Sequence, residues 1–236
     1  MHALRRSAVV VAALAIAAPA GVAQAAPAPA PGKPATPAAQ LLLTQAEFPA
    51  GYEVQQVSAK DLADVLRDVG SGLNKAKVTP AHCAPVVNRA DFERSSKLPL
   101  VVGVNKAKKA AISEVLAEGQ SIDKALANPA GCDKVRVEMN DIAGTKDRVV
   151  LDITSTPVNL PGAPAGSKAV LATSTGTVTV DGKAKPIKQE QLLAGANVRG
   201  YALLITGSGA GPNPVADRDG VAKALATGIN KVRTAR

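Results

Sequence analysis

The chain has 236 residues, and a formal charge of +9 falls on a composition with two Phe, two Tyr and no Trp. So few rings exclude base stacking as a means of holding nucleic acid and leave Val, Leu, Ile and Ala to fill the core. His2 lies in an N-terminal stretch that reads as a signal peptide, so one His and two Cys expected to be oxidised offer too few ligands for the usual three or four of a zinc site.

The N-terminus reads as a secretory signal peptide over residues 1–25. Arg5-Arg6 precede an apolar run from Ala8 to Ala18, and the small-residue site Ala23-Gln24-Ala25 follows. The apolar run is about eleven residues, short of the roughly 20 a membrane span needs. A mature chain starting at Ala26, at about +7 once Arg5 and Arg6 are removed, is expected to be secreted and associated with the cell envelope. It should carry no transmembrane helix and, with no Cys after the cleavage site, no lipid anchor. Its basic charge draws it to anionic envelope polymers or, more plainly, keeps it soluble.

Residues 26–40 alternate Ala and Pro, which forbids helix and offers nothing to bury, so they read as an extended linker. Order is expected from Leu41-Leu42-Leu43 onward, in a single domain over 41–236. Thr44 with Glu47 has capping-box spacing, and Pro49 ends that turn. Tyr52 to Val57 reads as a weak strand. Ser58 then caps a helix whose Leu62, Val65, Leu66, Val69 and Leu73 share one face. Thr79-Pro80 opens a short helix carrying Cys83, Val86 and Val87.

From Leu98 the period of the apolar residues changes to two. Leu100 to Val104 and Ala110 to Glu118 read as strands, and Ser121 caps a helix through Ala127. Val135 to Met139 and Val149 to Ile153 alternate. Val170 to Val180 and Lys185 to Leu193 flank Asp181-Gly182, a strong hairpin signal. Arg199 to Thr206 is the last strand, and Val215 to Val232 is an amphipathic closing helix. The expected fold is α+β: an antiparallel sheet of about five to seven strands with helices packed on one face, a C-terminal helix and one disulfide.

That disulfide joins Cys83 and Cys132, both in the exported part, where bridges persist. Closing a loop of about fifty residues removes unfolded-state entropy worth roughly 4 kcal/mol. The rival reading is two free thiols.

The catalytic motifs fail one by one. A Ser-His-Asp triad would have to use His82, the only His after cleavage, and no Gly-x-Ser-x-Gly or Ser-x-x-Lys accompanies it. Asp217-Arg218-Asp219-Gly220 and Asn140-Asp141 lack the bidentate Glu of a calcium loop. A pair of carboxylates drawn from Glu114, Glu118, Glu138 and Asp152 stays open as a glycan-cleaving site. Gly207-Ser208-Gly209-Ala210-Gly211, between the last strand and the closing helix, has two readings. Gly207, Ser208, Gly209 and Gly211 could form an anion-binding loop of backbone amides, or the stretch is a flexible connection. No cofactor is expected.

Leu41-Leu42-Leu43-Thr44, Phe48-Pro49-Ala50-Gly51-Tyr52, the Pro80 to Cys83 helix, Cys132 opening a strand, and the final strand and helix over Tyr201 to Val232 carry a resemblance. In these the chain resembles actinobacterial exported sensor-like domains, related to the extracellular domain of the mycobacterial receptor Ser/Thr kinase PknH and to secreted domains of unknown function. The resemblance implies a sheet with packed helices, a ligand-receiving cleft and no enzymatic activity. It departs from the kinase sensor in having one cysteine pair rather than two, and no kinase domain or membrane helix.

The expected function is therefore a monomeric, non-enzymatic binding domain for an envelope-derived small molecule, lipid or polymer. The alternatives are an envelope protein-protein interaction module without small ligand, and a carboxylate-based hydrolase. A cleft would favour a ligand and a flat apolar patch a partner; the hydrolase needs two acids converging in a cleft.

Overall fold

The computed structural model describes residues 32–55, 57, 75–84, 97–140, 147–180, 182–209 and 214–236. The expected signal peptide, the first part of the linker, the helix opened by Ser58, and Val86 and Val87 lie outside the described residues. The strands are β1 (Glu53–Gln55), β2 (Lys77–Thr79), β3 (Leu100–Asn105), β4 (Ala110–Glu118), β5 (Lys134–Asn140), β6 (Arg148–Pro157), β7 (Lys168–Val180), β8 (Lys183–Val198) and β9 (Tyr201–Gly209). The helices are α1 (Ala38–Leu41), α2 (Ile122–Ala125) and α3 (Arg218–Thr234).

All nine strands form one antiparallel sheet in the order β1-β3-β4-β9-β8-β7-β6-β5-β2. Five consecutive strands, β5 to β9, make an up-and-down meander, with hairpin β3–β4 laid against β9. β7 and β8 pair as a hairpin from Val180↔Lys183, as the sequence suggests, with Gly182 at φ 74; Asp181 lies outside the described residues. The next turn was not read from sequence. Arg199 and Gly200, at φ 45 and 81, form a two-residue hairpin between β8 and β9, so Arg199 sits in a turn and not at the head of a strand.

The expectation of five to seven strands with helices on one face is corrected on both counts. Both edges are short: β2, which the sequence did not show, and β1, within the expected strand Tyr52 to Val57, have three residues each and pair only along part of β5 and β3. Nor does the sheet have a single apolar face. In β4, β9 and β8 the paired residues Ile112, Leu116, Leu203, Ile205, Leu192 and Ala194 share one side and are fully buried. Following the register across β7 to β6 and β5, that side becomes Thr175, Asp152 and Arg136. The buried residues of the far half, Val78, Val137, Met139, Val149 and Leu151, stand on the opposite side. Because side chains alternate strictly along a strand, one sheet can build two cores on opposite faces only by such a changeover.

Among the described residues α3 is the one helix longer than four residues, and it covers the near half alone. Asp217 is its N-cap: Oδ1 accepts from the Gly220 amide at 3.2 Å, while Oδ2 accepts from Tyr52 Oη at 2.9 Å and Lys108 Nζ at 2.7 Å. This is a structural use of the acidic stretch set aside as a calcium loop. At the other end, Arg199 donates from Nη1 to the carbonyl oxygens of Arg233 (3.2 Å) and Ala235, which lie at the negative end of the helix dipole.

The described part of the proline-rich linker is not a free tether. The Thr36 amide donates to Arg236 O at 3.1 Å, Lys33 pairs with Glu118 at 2.5 Å, and residues 38–41 form the single turn α1 with Leu41 buried. The disulfide Cys83–Cys132 is present, with Cα atoms 5.6 Å apart. It ties a single 3-10 turn, Ala81–Cys83, after edge strand β2 to the approach of β5. No helix among the described residues is long and apolar enough to cross a membrane.

Candidate functional site

The connection from β6 to β7 is long for a hairpin, and its residues are proline- and glycine-rich: Val158 to Ser167. Tight turns fold it, with the Ala163 amide donating to Leu160 O at 3.1 Å and the Ser167 amide to Pro164 O at 3.1 Å. Leu160 is buried beneath it. The loop stands beside α2, whose N-cap Ser121 accepts from the Asp123 amide, and whose Ile122 amide is held by Asn197 Oδ1 at 2.8 Å. Between loop, α2 and the middle of α3 lies a cleft of about 590 Å3.

The cleft's lining is mixed, with as much polar as apolar surface, and it is charged at the mouth. Leu126, Val158, Ala163 and Val170 supply its apolar surface, with Leu160 and Leu225 buried behind them. Asp123 and Lys168, both about half exposed, face each other as an ion pair at the rim. Lys168 holds the Asp123 carboxyl below its ordinary range, by hydrogen bond first and by charge second. The hydroxyl of Ser167, also in the lining, is buried without a hydrogen-bond partner among the described residues.

Beneath α3 lies the second unusual group. Glu114 is the middle of the inward row Ile112-Glu114-Leu116 of β4 and is 0% exposed. Its Oε2 accepts from the Leu43 amide at 2.6 Å, whereas Oε1 has no partner among the described residues. Oε1 points at Gly228 of α3, where an added Cβ would lie 2.7 Å away. Burial pushes the Glu114 carboxyl up to about 7, against the Leu43 hydrogen bond and the positive charge of Lys231. Lys231 itself is bound to Glu47 Oε2 at 2.6 Å and Leu42 O at 2.7 Å. The turn at 44–48 is the expected capping pair, with Glu47 Oε2 accepting from both the amide and hydroxyl of Thr44 at 2.7 and 2.8 Å.

The residues proposed from sequence separate. Gly207, Ser208 and Gly209 belong to β9 rather than to a loop, and Gly211 lies outside the described residues. Gly207 and Ser208 have β4 on one side and β8 on the other, so their amides belong to the ladder and not to an anion cradle. Their lack of side chain has another use. A Cβ on Gly207 would strike Val221 of α3, and one on Gly209 would lie 2.5 Å from the backbone of Val215. The donor atoms of His82, Cys83 and Cys132 lie within 4.8 Å of one another, but both sulfurs are spent on the bridge. Of the four acids weighed for hydrolysis, Glu118, Glu138 and Asp152 are engaged with Lys33, Arg148 and Arg136 on the surface, and none lines the cleft.

Sequence reasoning missed both the cleft and the buried acid. The ten-residue Pro-Gly connection and the position of Glu114 inside an alternating apolar row were the signals available.

No family model matches the chain, and no curated protein matches it. Among solved structures, the chain is similar to an uncharacterized protein from Mycobacterium smegmatis, at 14% identity and a TM-score of 0.44, over 86% of this chain and 99% of that one. So remote a likeness shows no family and does not confirm the resemblance to receptor-kinase sensor domains.

Proposed function

We propose that this chain is a non-enzymatic binding protein of the cell envelope whose ligand is a small amphiphile. The observation that carries the reading is the cleft: a cavity roomy enough for a short acyl chain, whose mixed lining sets Leu126, Val158 and Val170 beside a charged rim. Asp123 and Lys168 already neutralise each other there, so a head group bearing both charges can exchange partners with them without leaving either charge unpaired. Ser167 gains the hydrogen bond it lacks. The disulfide is compatible with export, and the single carboxylate among the cleft's residues, Asp123, gives no acid pair for hydrolysis.

Isothermal titration with dodecylphosphocholine, below its micelle concentration, tests the reading. Its head group is zwitterionic and does not titrate near neutrality. One molecule is expected to bind per chain and to raise Tm, since a ligand that prefers the native state stabilises it. Ala165→Trp, which fills the cleft from its exposed loop, should abolish both effects. Absence of heat and of a Tm shift with the unaltered protein would overturn the proposal.

A further inference from the structure

Glu114 and the cleft meet on α3. Gly228, which faces Glu114 Oε1, lies three residues after Leu225, which lines the cleft, so the two positions share one face of the helix a single turn apart. Packing along this turn is tight: a Cβ at Gly228 would also lie 3.0 Å from Leu203 Cδ1. The other oxygen of Glu114 holds the Leu43 amide, and with it the segment that Lys231 clamps through Leu42 O and Glu47. One carboxyl therefore sits under both the N-terminal segment and the closing helix.

We propose that Glu114 is a proton-operated latch for the cleft: neutral, it lets α3 seat on the sheet with Leu225 in place; ionised, it unseats that turn and weakens the hold on the amphiphile. The proposal rests on the cleft reading above. Ionisation leaves a full charge with one oxygen unpartnered in an apolar interior, a state the protein relieves by moving the helix or by drawing in Lys231 or water. The charged groups that act on Glu114 are Lys231 on α3, which favours ionisation, and Glu47 on the N-terminal segment, which opposes it. The residues paired with Glu114 across β3 and β9, Val101 and Ile205, carry no charge.

The test measures dodecylphosphocholine affinity at about pH 5.5 and about pH 8.5, where only the protein titrates, for the unaltered chain and Glu114→Gln, which keeps an acceptor for Leu43. Affinity is expected to fall about tenfold at the higher pH in the former and to stay level in the latter, as a shift of about one decade in the binding-competent population requires. Difference infrared spectroscopy should show the carbonyl stretch of a protonated acid at the lower pH, absent from Glu114→Gln. Lys231→Met should move the midpoint up and Glu47→Gln should move it down. Binding that is independent of pH, or a pH dependence kept by Glu114→Gln, overturns the latch while leaving the cleft reading standing. Absence of binding at every pH removes the cleft reading, and the latch with it.

Discussion

The two halves of the sheet solve the same burial problem by different means. The near half, β4, β9 and the C-terminal part of β8, places a long apolar row under α3 and closes it with the N-terminal segment. In the far half, β2, β5 and β6 gather five buried residues on the other face, beside the disulfide, with Val178 of β7 partly buried against them. Hydrophobic burial grows with apolar area. The near half therefore has packing energy in reserve, enough to keep an unpaired carboxyl oxygen beneath its helix, whereas the far half depends on a covalent staple. The cleft proposed to bind ligand and Glu114 both belong to the half with the larger core.

The sharpest way to break this comparison is to remove the staple. Cys83→Ser with Cys132→Ser is expected to lower stability by roughly 4 kcal/mol in the chain-entropy picture, and amide exchange should accelerate in β2, β5 and β6 first. Equal acceleration in β4 and β9 would show the two halves to be one cooperative unit.

Next in size is the pH dependence carried by Glu114. Its folded-state value of about 7 lies above the ordinary 4.5, so the fold favours the neutral acid. Stability is fully present below pH 4.5 and is lost as pH rises toward 7, by about 3 kcal/mol in all. Denaturant titrations across this range should show that slope for the unaltered chain and a flattened one for Glu114→Gln. An unchanged slope would place the responsible group elsewhere.

The strands of both halves were legible because period-two alternation survives wherever one face is buried. Asp181-Gly182 was legible because its residue types specify its turn. Arg199-Gly200 was not: Arg seldom takes positive φ, and here it does so while its guanidinium caps α3 from across the fold. Edge β2 is too short to show a period, and β1 shows only the weak alternation of Tyr52 to Val57. Glu114 was read as one scattered acid among several, because alternation reveals which residues share a face but not that a helix glycine will lie on that face. The changeover of apolar sides was written in the sequence, in the even-numbered Leu192, Ala194, Ala196 and Val198 of β8 against odd-numbered Ile187. It became interpretable only once the register was known. Gly207 and Gly209 misled because a glycine that admits a helix looks the same as a glycine that admits a phosphate.

Two smaller effects sharpen the picture of the near half. Gly207→Ala drives a methyl into Val221 and should cost about 1–3 kcal/mol, measured by thermal denaturation, as overpacking does. A neutral result would mean that α3 is not seated tightly on β9. Arg199→Ala removes the cap on the last carbonyls of α3 and should cost about 1–2 kcal/mol, with faster exchange confined to the final turn of the helix.

The central claim is that recognition happens in the cleft between the Val158 to Ser167 loop, α2 and α3. Backbone chemical-shift mapping with dodecylphosphocholine tests it most directly. Shifts clustered at Asp123 to Ala127, Pro157 to Val170 and Leu225 are the result expected, and shifts confined to the charged face around Arg136 and Asp152, or none at all, would contradict the account.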